Sequence, residues 1–260
     1  MNLLDHLIMI VLVAGLPLYA VRSLPGEKAR IEAGEPRART RIYWGTSRLQ
    51  WVLTAVLLGG WWYAARPWTL LGFSVQLTGR FWIVLAILVG LCAAMAVQFL
   101  LFVRSEKSRR RARSSFGKAE ILMPHDRREL LPYMVLALTA GVCEEVLYRG
   151  FLIWYVAQFT GTTVPGLIAA VAISSIAFGV GHLYQGPASA GKIVGFAAVA
   201  GAIYLVSGSL WLAVALHVFT DVAAGTLAFV LFRDDDSTLT RCASGGSSSR
   251  SSSSAGIPAP

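Results

Sequence analysis

LLPYMVLALTAGVCEEVLYRGFLIWYV, residues 130–156, is an apolar run of membrane-crossing length with three charged side chains inside it. A helix needs about 20 predominantly apolar residues to cross the hydrocarbon of a bilayer. This run meets that length although Glu144, Glu145 and Arg149 interrupt it. A charge at the centre of such a helix costs at least about 2.5–3.5 kcal/mol on insertion scales, so these residues need partners and are functional candidates. Glu145 and Arg149 are four apart. That spacing puts them on one helix face, in the order that favours an ion pair. Glu144 is then left without a local partner.

Six further apolar runs lie outward from this one, at about 3–21, 49–65, 81–103, 165–183, 191–206 and 210–232. Together the seven predict an all-α, polytopic transmembrane bundle of about seven helices (six to eight) with an intramembrane active site. The run at 191–206 is short and rich in Gly and Ala, which suits close helix packing. Composition agrees: 55% of the 260 residues are hydrophobic and 14% are charged, where a soluble domain carries about a quarter charged. Mean hydropathy is +0.60.

The net charge of +9 belongs to segments between the apolar runs, which points to a membrane surface rather than nucleic acid. No zinc-finger spacing or RNA-binding signature is present. Cys92, Cys143 and Cys242 make no disulfide framework or CxxC site, and Cys242 is too far from the C-terminus for a prenylation box.

Residues 22–48 hold seven Lys/Arg and 104–129 hold nine, while 66–80, between them, hold only Arg66 and Arg80. The positive-inside rule places both basic segments in the cytoplasm. Seven crossings then put the N-terminus outside and the C-terminus inside, in a multi-pass protein of the cell membrane. The first run carries Asp5 and His6 at its start, with no basic Lys or Arg ahead of it, and Arg22 after it, the reverse of a secretory signal. Three regions are expected: an N-terminal three-helix membrane region at 1–129, a catalytic core at 130–232 and a disordered Ser-rich tail at 233–260. No internal repeat of the transporter kind is evident.

From Leu130 to Phe232 the charged residues are Glu144, Glu145, Arg149, Lys192 and Asp221, and the histidines are His182 and His217. His217 and Asp221 are four apart, as are Phe178 and His182. Three helices can therefore direct polar groups into one cavity. A lone His on an apolar helix is ordinarily a packing residue, and a Glu–Arg pair is often a helix clamp. The conjunction of these residues with an unpaired Glu144 outweighs those readings. Lys192, at a helix end, is expected to snorkel and receives no role. Cys143 beside Glu144 reads as a small packing residue rather than a nucleophile.

At these residues the chain resembles the CAAX-protease and bacteriocin-processing (CPBP) family, intramembrane glutamic endopeptidases that include the CAAX prenyl proteases and Abi-type proteins. EEVLYRGFL at 144–152 resembles its first motif, Glu-Glu-x-x-x-Arg; FGVGH at 178–182 its second, Phe-x-x-x-His; HVFTD at 217–221 its third, His-x-x-x-Asn/Asp. The resemblance covers about 130–232. It implies hydrolysis of a membrane-associated or lipidated peptide by a Glu-activated water, without an acyl-enzyme. By position it implies Glu144 as general base, His182 holding and polarising the water, and His217 with Asp221 stabilising the oxyanion. Glu145, Arg149 and Phe178 shape the site. Asp221 stands where the prenyl endopeptidases carry Asn, and an ionised Asp cannot donate to an oxyanion.

No cofactor is implied. Zinc is the alternative, since Glu144, Glu145, His182, His217 and Asp221 are all possible ligands, but HExxH is missing. The Ser and Asp intramembrane protease classes lack a nucleophile motif and an aspartyl pair. An immunity or scaffold protein of the same fold would be marked by loss of the motif residues, which are present. A proton-coupled transporter would need two-sided access. Lipid and a membrane-associated peptide are the expected partners, and nucleic acid is not.

Overall fold

The computed structural model describes residues 1–245, with side chains through Arg233. From 246 onward the Ser-rich tail lies outside the described residues. Eight helices, and no strands, make up the described chain. We number them α1 (Leu3–Glu32), α2 (Ala38–Tyr63), α3 (Gly79–Val103), α4 (Glu106–Phe116), α5 (Arg127–Thr160), α6 (Val164–Gly181), α7 (Pro187–Ser207) and α8 (Leu210–Gly245). The fold is the expected all-α polytopic bundle.

Six of the described helices are long and apolar enough to cross a membrane: α1, α3, α5, α6, α7 and α8. The seventh expected run, 49–65, falls in α2. Its 26 residues give a length of about 39 Å at 1.5 Å per residue, but Arg48, Gln50 and the Trp and Tyr residues near its end lower its hydropathy. The stretch 22–48, read from sequence as a basic loop, is mostly helix: α1 runs on to Glu32 and only five residues separate it from α2. Hydropathy marks where apolar surface ends, while Ala, Glu and Arg continue the helix by propensity. The sixth run likewise grows to 21 residues in α7.

Helix starts follow side-chain chemistry. Asn2 caps α1 in a capping box with Asp5. Asp126 accepts from the backbone N–H groups of Arg128 and Glu129 to open α5, and Thr163 opens α6. Gly208, at φ +67°, ends α7 in the left-handed conformation.

Packing separates inner from outer helices. α3 buries only Phe81, Val84 and Leu88, a single narrow stripe. Ile83, Ile87, Val97 and Leu100 are exposed around the rest of it, which suits contact with lipid. α5 is the central helix, packed extensively against α2 and α8. Gly141 makes the α5–α8 approach possible, since a Cβ there would lie 3.0 Å from the Val218 backbone nitrogen. α2 meets α5 through a stripe at Tyr43, Ser47, Gln50, Thr54, Leu57 and Trp61. Three consecutive members of that stripe are polar.

At one end Arg66 forms a two-pronged ion pair with buried Asp5, at 2.7 and 2.8 Å. Its guanidinium stands 5.0 Å from the rings of both Trp61 and Trp154, which ties α1, α2 and α5 together. At the other end α4 lies on the bundle without spanning it. Its inner face buries Ala112 and places Phe116 5.6 Å from Phe232 of α8.

Candidate active site

The site is built where α5 departs from regular helical geometry. From Glu145 to Leu152 the backbone takes π-helical bonding, and all eight of these residues are buried. π turns are rare and recur at functional sites because they widen the helix and redirect side chains. A neighbouring helix supports this segment: the Ser174 hydroxyl donates to the Tyr148 carbonyl at 2.8 Å. A second π segment, Val11–Gly15 of α1, contains Leu12, whose carbonyl accepts from the Tyr148 hydroxyl at 3.3 Å.

Glu145 and Arg149 form the expected pair, Oε1 to Nη1 at 3.0 Å, with 0% and 2% of their side chains exposed. The Arg149 guanidinium also lies 4.5 Å from the Phe178 ring centre. Phe178 is a hub: its ring is 4.6 Å from that of His182, 5.0 Å from Tyr148 and 6.1 Å from His217. The second motif thus joins α6 to both of the other motifs.

Glu145 has a further partner that the spacing could not reveal. His217 Nδ1 is 2.7 Å from Glu145 Oε1. An ionised carboxylate only accepts, so Nδ1 carries the hydrogen and donates. This turns Nε2 toward Glu144 Oε2 at 3.8 Å and Asp221 Oδ2 at 3.6 Å. The carboxylate that orients the imidazole is therefore Glu145, and Asp221 stands on the opposite, cavity-facing side of the ring. Asp221 is a third exposed, Glu144 is 15% exposed and His217 is 6% exposed. His182, just past the end of α6, bonds through Nδ1 to the Phe178 carbonyl at 2.8 Å. Its Nδ1 is thereby committed as donor and its Nε2 is free to accept.

Glu144, His182, His217 and Asp221 all line one cavity of ≈ 720 Å³. Most of the remaining lining is apolar, with Leu49, Leu53, Leu136 and Phe196 among it. Along α2 the lining runs from Arg41 to Leu53, about 18 Å of helix. The cavity thus extends from the acidic cluster to the end that carries the basic segments. At that end Arg41 is paired with Glu27 and Glu35, at 3.3 and 2.8 Å. Beside it Arg39 pairs with Glu129 at 3.1 Å and contacts His125. Burial, with Arg39 nearby, holds the His125 imidazole below its ordinary range.

All seven residues singled out from the sequence are gathered at this site. Sequence reasoning missed Gln50, whose Nε2 donates to Glu144 Oε1 at 2.6 Å. The available signal was the spacing of Ser47, Gln50 and Thr54, a polar stripe within an otherwise apolar run. Lys192 lines the cavity, although no role was expected of it. Among the described residues, no three His, Cys, Asp or Glu side chains converge as a metal ion would require.

A solvent-accessible carboxylate beside an oriented imidazole, at the polar end of an apolar cavity, is an arrangement suited to acid–base chemistry. No curated protein and no solved structure matches the chain. A family model described as type II CAAX prenyl endopeptidase Rce1-like matches residues 126–223, the segment that carries all three motifs. Over residues 126–223 the chain is thus similar to the Rce1-like CAAX endopeptidases, on a multi-pass helical scaffold.

Proposed function

We propose that the protein is a glutamate-dependent intramembrane endopeptidase that hydrolyses a membrane-associated, lipidated peptide. The observation that carries this reading is the division of labour between adjacent carboxylates. Glu145 is committed to Arg149 and His217, whereas Glu144 keeps Oε2 toward the cavity.

In the proposed reaction Glu144 Oε2 takes a proton from water as the water oxygen bonds to the scissile carbonyl carbon. With Nδ1 donating to Glu145, the His217 ring can also donate from Nε2 only as an imidazolium. The carboxylates of Glu144, Glu145 and Asp221 surround it as counter-charges. Nε2–H then faces the developing oxyanion. As the C–N bond breaks, Glu144 returns its proton to the leaving amine. His182 offers Nε2 to orient the water. The apolar lining suits a lipid-modified peptide, and the acidic cluster stands where its scissile bond would lie. The positive-inside rule supports a cavity mouth that faces the cytoplasm and an N-terminus outside.

The test is Glu144→Gln, assayed on a farnesylated fluorogenic peptide with the full chain in nanodiscs. The amide keeps the shape but cannot take the proton, so cleavage should fall by about 10²–10⁴-fold while thermal stability is kept. A variant that keeps more than about a tenth of the wild-type rate would remove Glu144 from the base role.

A further inference from the structure

The matched domain does not contain every residue that touches Glu144. We propose that Gln50, on α2 outside residues 126–223, is a positioning residue that holds one oxygen of Glu144 so that the other meets the water. This inference rests on Glu144 being the base.

The contact is short, 2.6 Å from Gln50 Nε2 to Glu144 Oε1. A carboxylate only accepts, so the amide nitrogen must be the atom that faces it. An N–H bonded to an ionised oxygen is among the stronger hydrogen bonds a protein makes. Here it replaces part of the hydration that a carboxylate loses in a helix bundle. It also resolves an ambiguity of Glu144, whose side chain has three rotatable bonds and two equivalent oxygens. With Oε1 held by Gln50, Oε2 is the oxygen that faces His217, and proton transfer has a single acceptor.

A role confined to helix packing does not account for the amide. The Gln50 Oε1 atom is buried and has no protein hydrogen-bond partner among the described residues, a cost that an apolar side chain of the same length would avoid. The α2–α5 register is independently set by Trp51 Nε1 donating to Thr139 Oγ1 at 3.2 Å and by the edge-on Tyr43–Tyr133 pair. Gln50 is also largely buried. It is 9% exposed, in the middle of a 26-residue helix.

The experiment compares wild type, Gln50→Met, Gln50→Glu, Glu144→Gln and the Gln50→Met/Glu144→Gln double variant, each as the full chain in phosphatidylcholine nanodiscs. Gln50→Met keeps length and removes the donor. On the farnesylated peptide its kcat should fall roughly ten- to a hundredfold, the scale of a misplaced catalytic group, with KM within about twofold. Gln50→Glu keeps the shape and sets a second carboxylate against the first, so it should lose at least as much. The double variant should be no slower than Glu144→Gln alone, because the two residues act as a unit. Infrared difference spectra give a readout that needs no substrate. Wild type minus Glu144→Gln isolates the Glu144 carboxylate stretch, and Gln50→Met should shift that band. A wild-type kcat in Gln50→Met, a loss confined to KM, multiplicative losses in the double variant, or an unshifted band would each overturn the Gln50 role. An inactive Glu144→Gln beside a fully active Gln50→Met overturns that role alone, whereas an active Glu144→Gln overturns the base assignment with it. If Gln50→Met does not fold, Gln50→Glu carries the same kinetic and infrared tests.

Discussion

Removing Arg149 should damage the protein before it damages the chemistry. In Arg149→Ala, Glu145, with none of its side chain exposed, loses its cation. It keeps one hydrogen bond, from His217 Nδ1. Breaking a buried pair by deleting one partner costs about 3–5 kcal/mol, since the remaining charge is uncompensated. The lost contact between the guanidinium and Phe178, at 4.5 Å, adds about 0.5–2 kcal/mol. The remaining His217 bond offsets a share of this, so a net loss of about 3–5 kcal/mol is expected. Equilibrium unfolding by steric trapping in bicelles measures it directly. A matched Glu145→Gln/Arg149→Met variant removes both charges and should recover most of the stability. A folded Arg149→Ala protein within about 1 kcal/mol of wild type would refute the view that the pair is a buried clamp.

Asp221→Asn keeps an acceptor and adds a donor on the cavity side of His217. It should keep much of the cleavage rate, while Asp221→Ala should lose about 10²–10³-fold. The zinc alternative predicts that Asn fails and that chelator removes activity which zinc restores, so assays of the three proteins with and without chelator separate the two. Gly141→Ala places a methyl against the Val218 backbone and should cost about 1–3 kcal/mol. It should also reduce cleavage, because Val218 adjoins His217; unchanged stability by thermal unfolding would contradict the close α5–α8 approach. Single cysteines at Ser114 and Ser74, in a background with Cys92, Cys143 and Cys242 replaced, should react with an impermeant maleimide from the cytoplasmic and the outer side respectively. The reverse pattern would invert the proposed topology.

The bundle and most of the candidate site were legible in the sequence for one reason. Ionisable groups are expensive in lipid, so Glu144, Glu145, Arg149, His182, His217 and Asp221 stand out against their apolar helices. The four-residue spacings of Glu145–Arg149 and Phe178–His182 named pairs that the fold brings into contact. The contacts between helices were not legible. His217 joins Glu145 across 72 positions of chain, and Gln50 joins Glu144 across 94. Spacing along one helix says nothing about which helix will face it. Gln50 is also neutral, so it gives a weaker hydropathy signal than a charge. The ends of α1 and α2 were misplaced for a related reason: apolar character stops at the membrane surface, but helical propensity does not.

The Glu145–Arg149 pair lies within a single helix, and this bears on how the chain is made. α5 leaves the translocation channel before α6 and α8 exist, so for that interval Phe178 and His217 cannot help neutralise it. A bridge between helices would leave two naked charges to be inserted separately. The bridge four residues apart is available as soon as the helix forms, and its two charges enter the bilayer already paired. The imidazole of His217 then closes on Glu145 only once α8 has inserted. Assembly of the proposed catalytic cluster is thereby tied to insertion of α8, and a chain stopped before α8 would insert without His217 and Asp221.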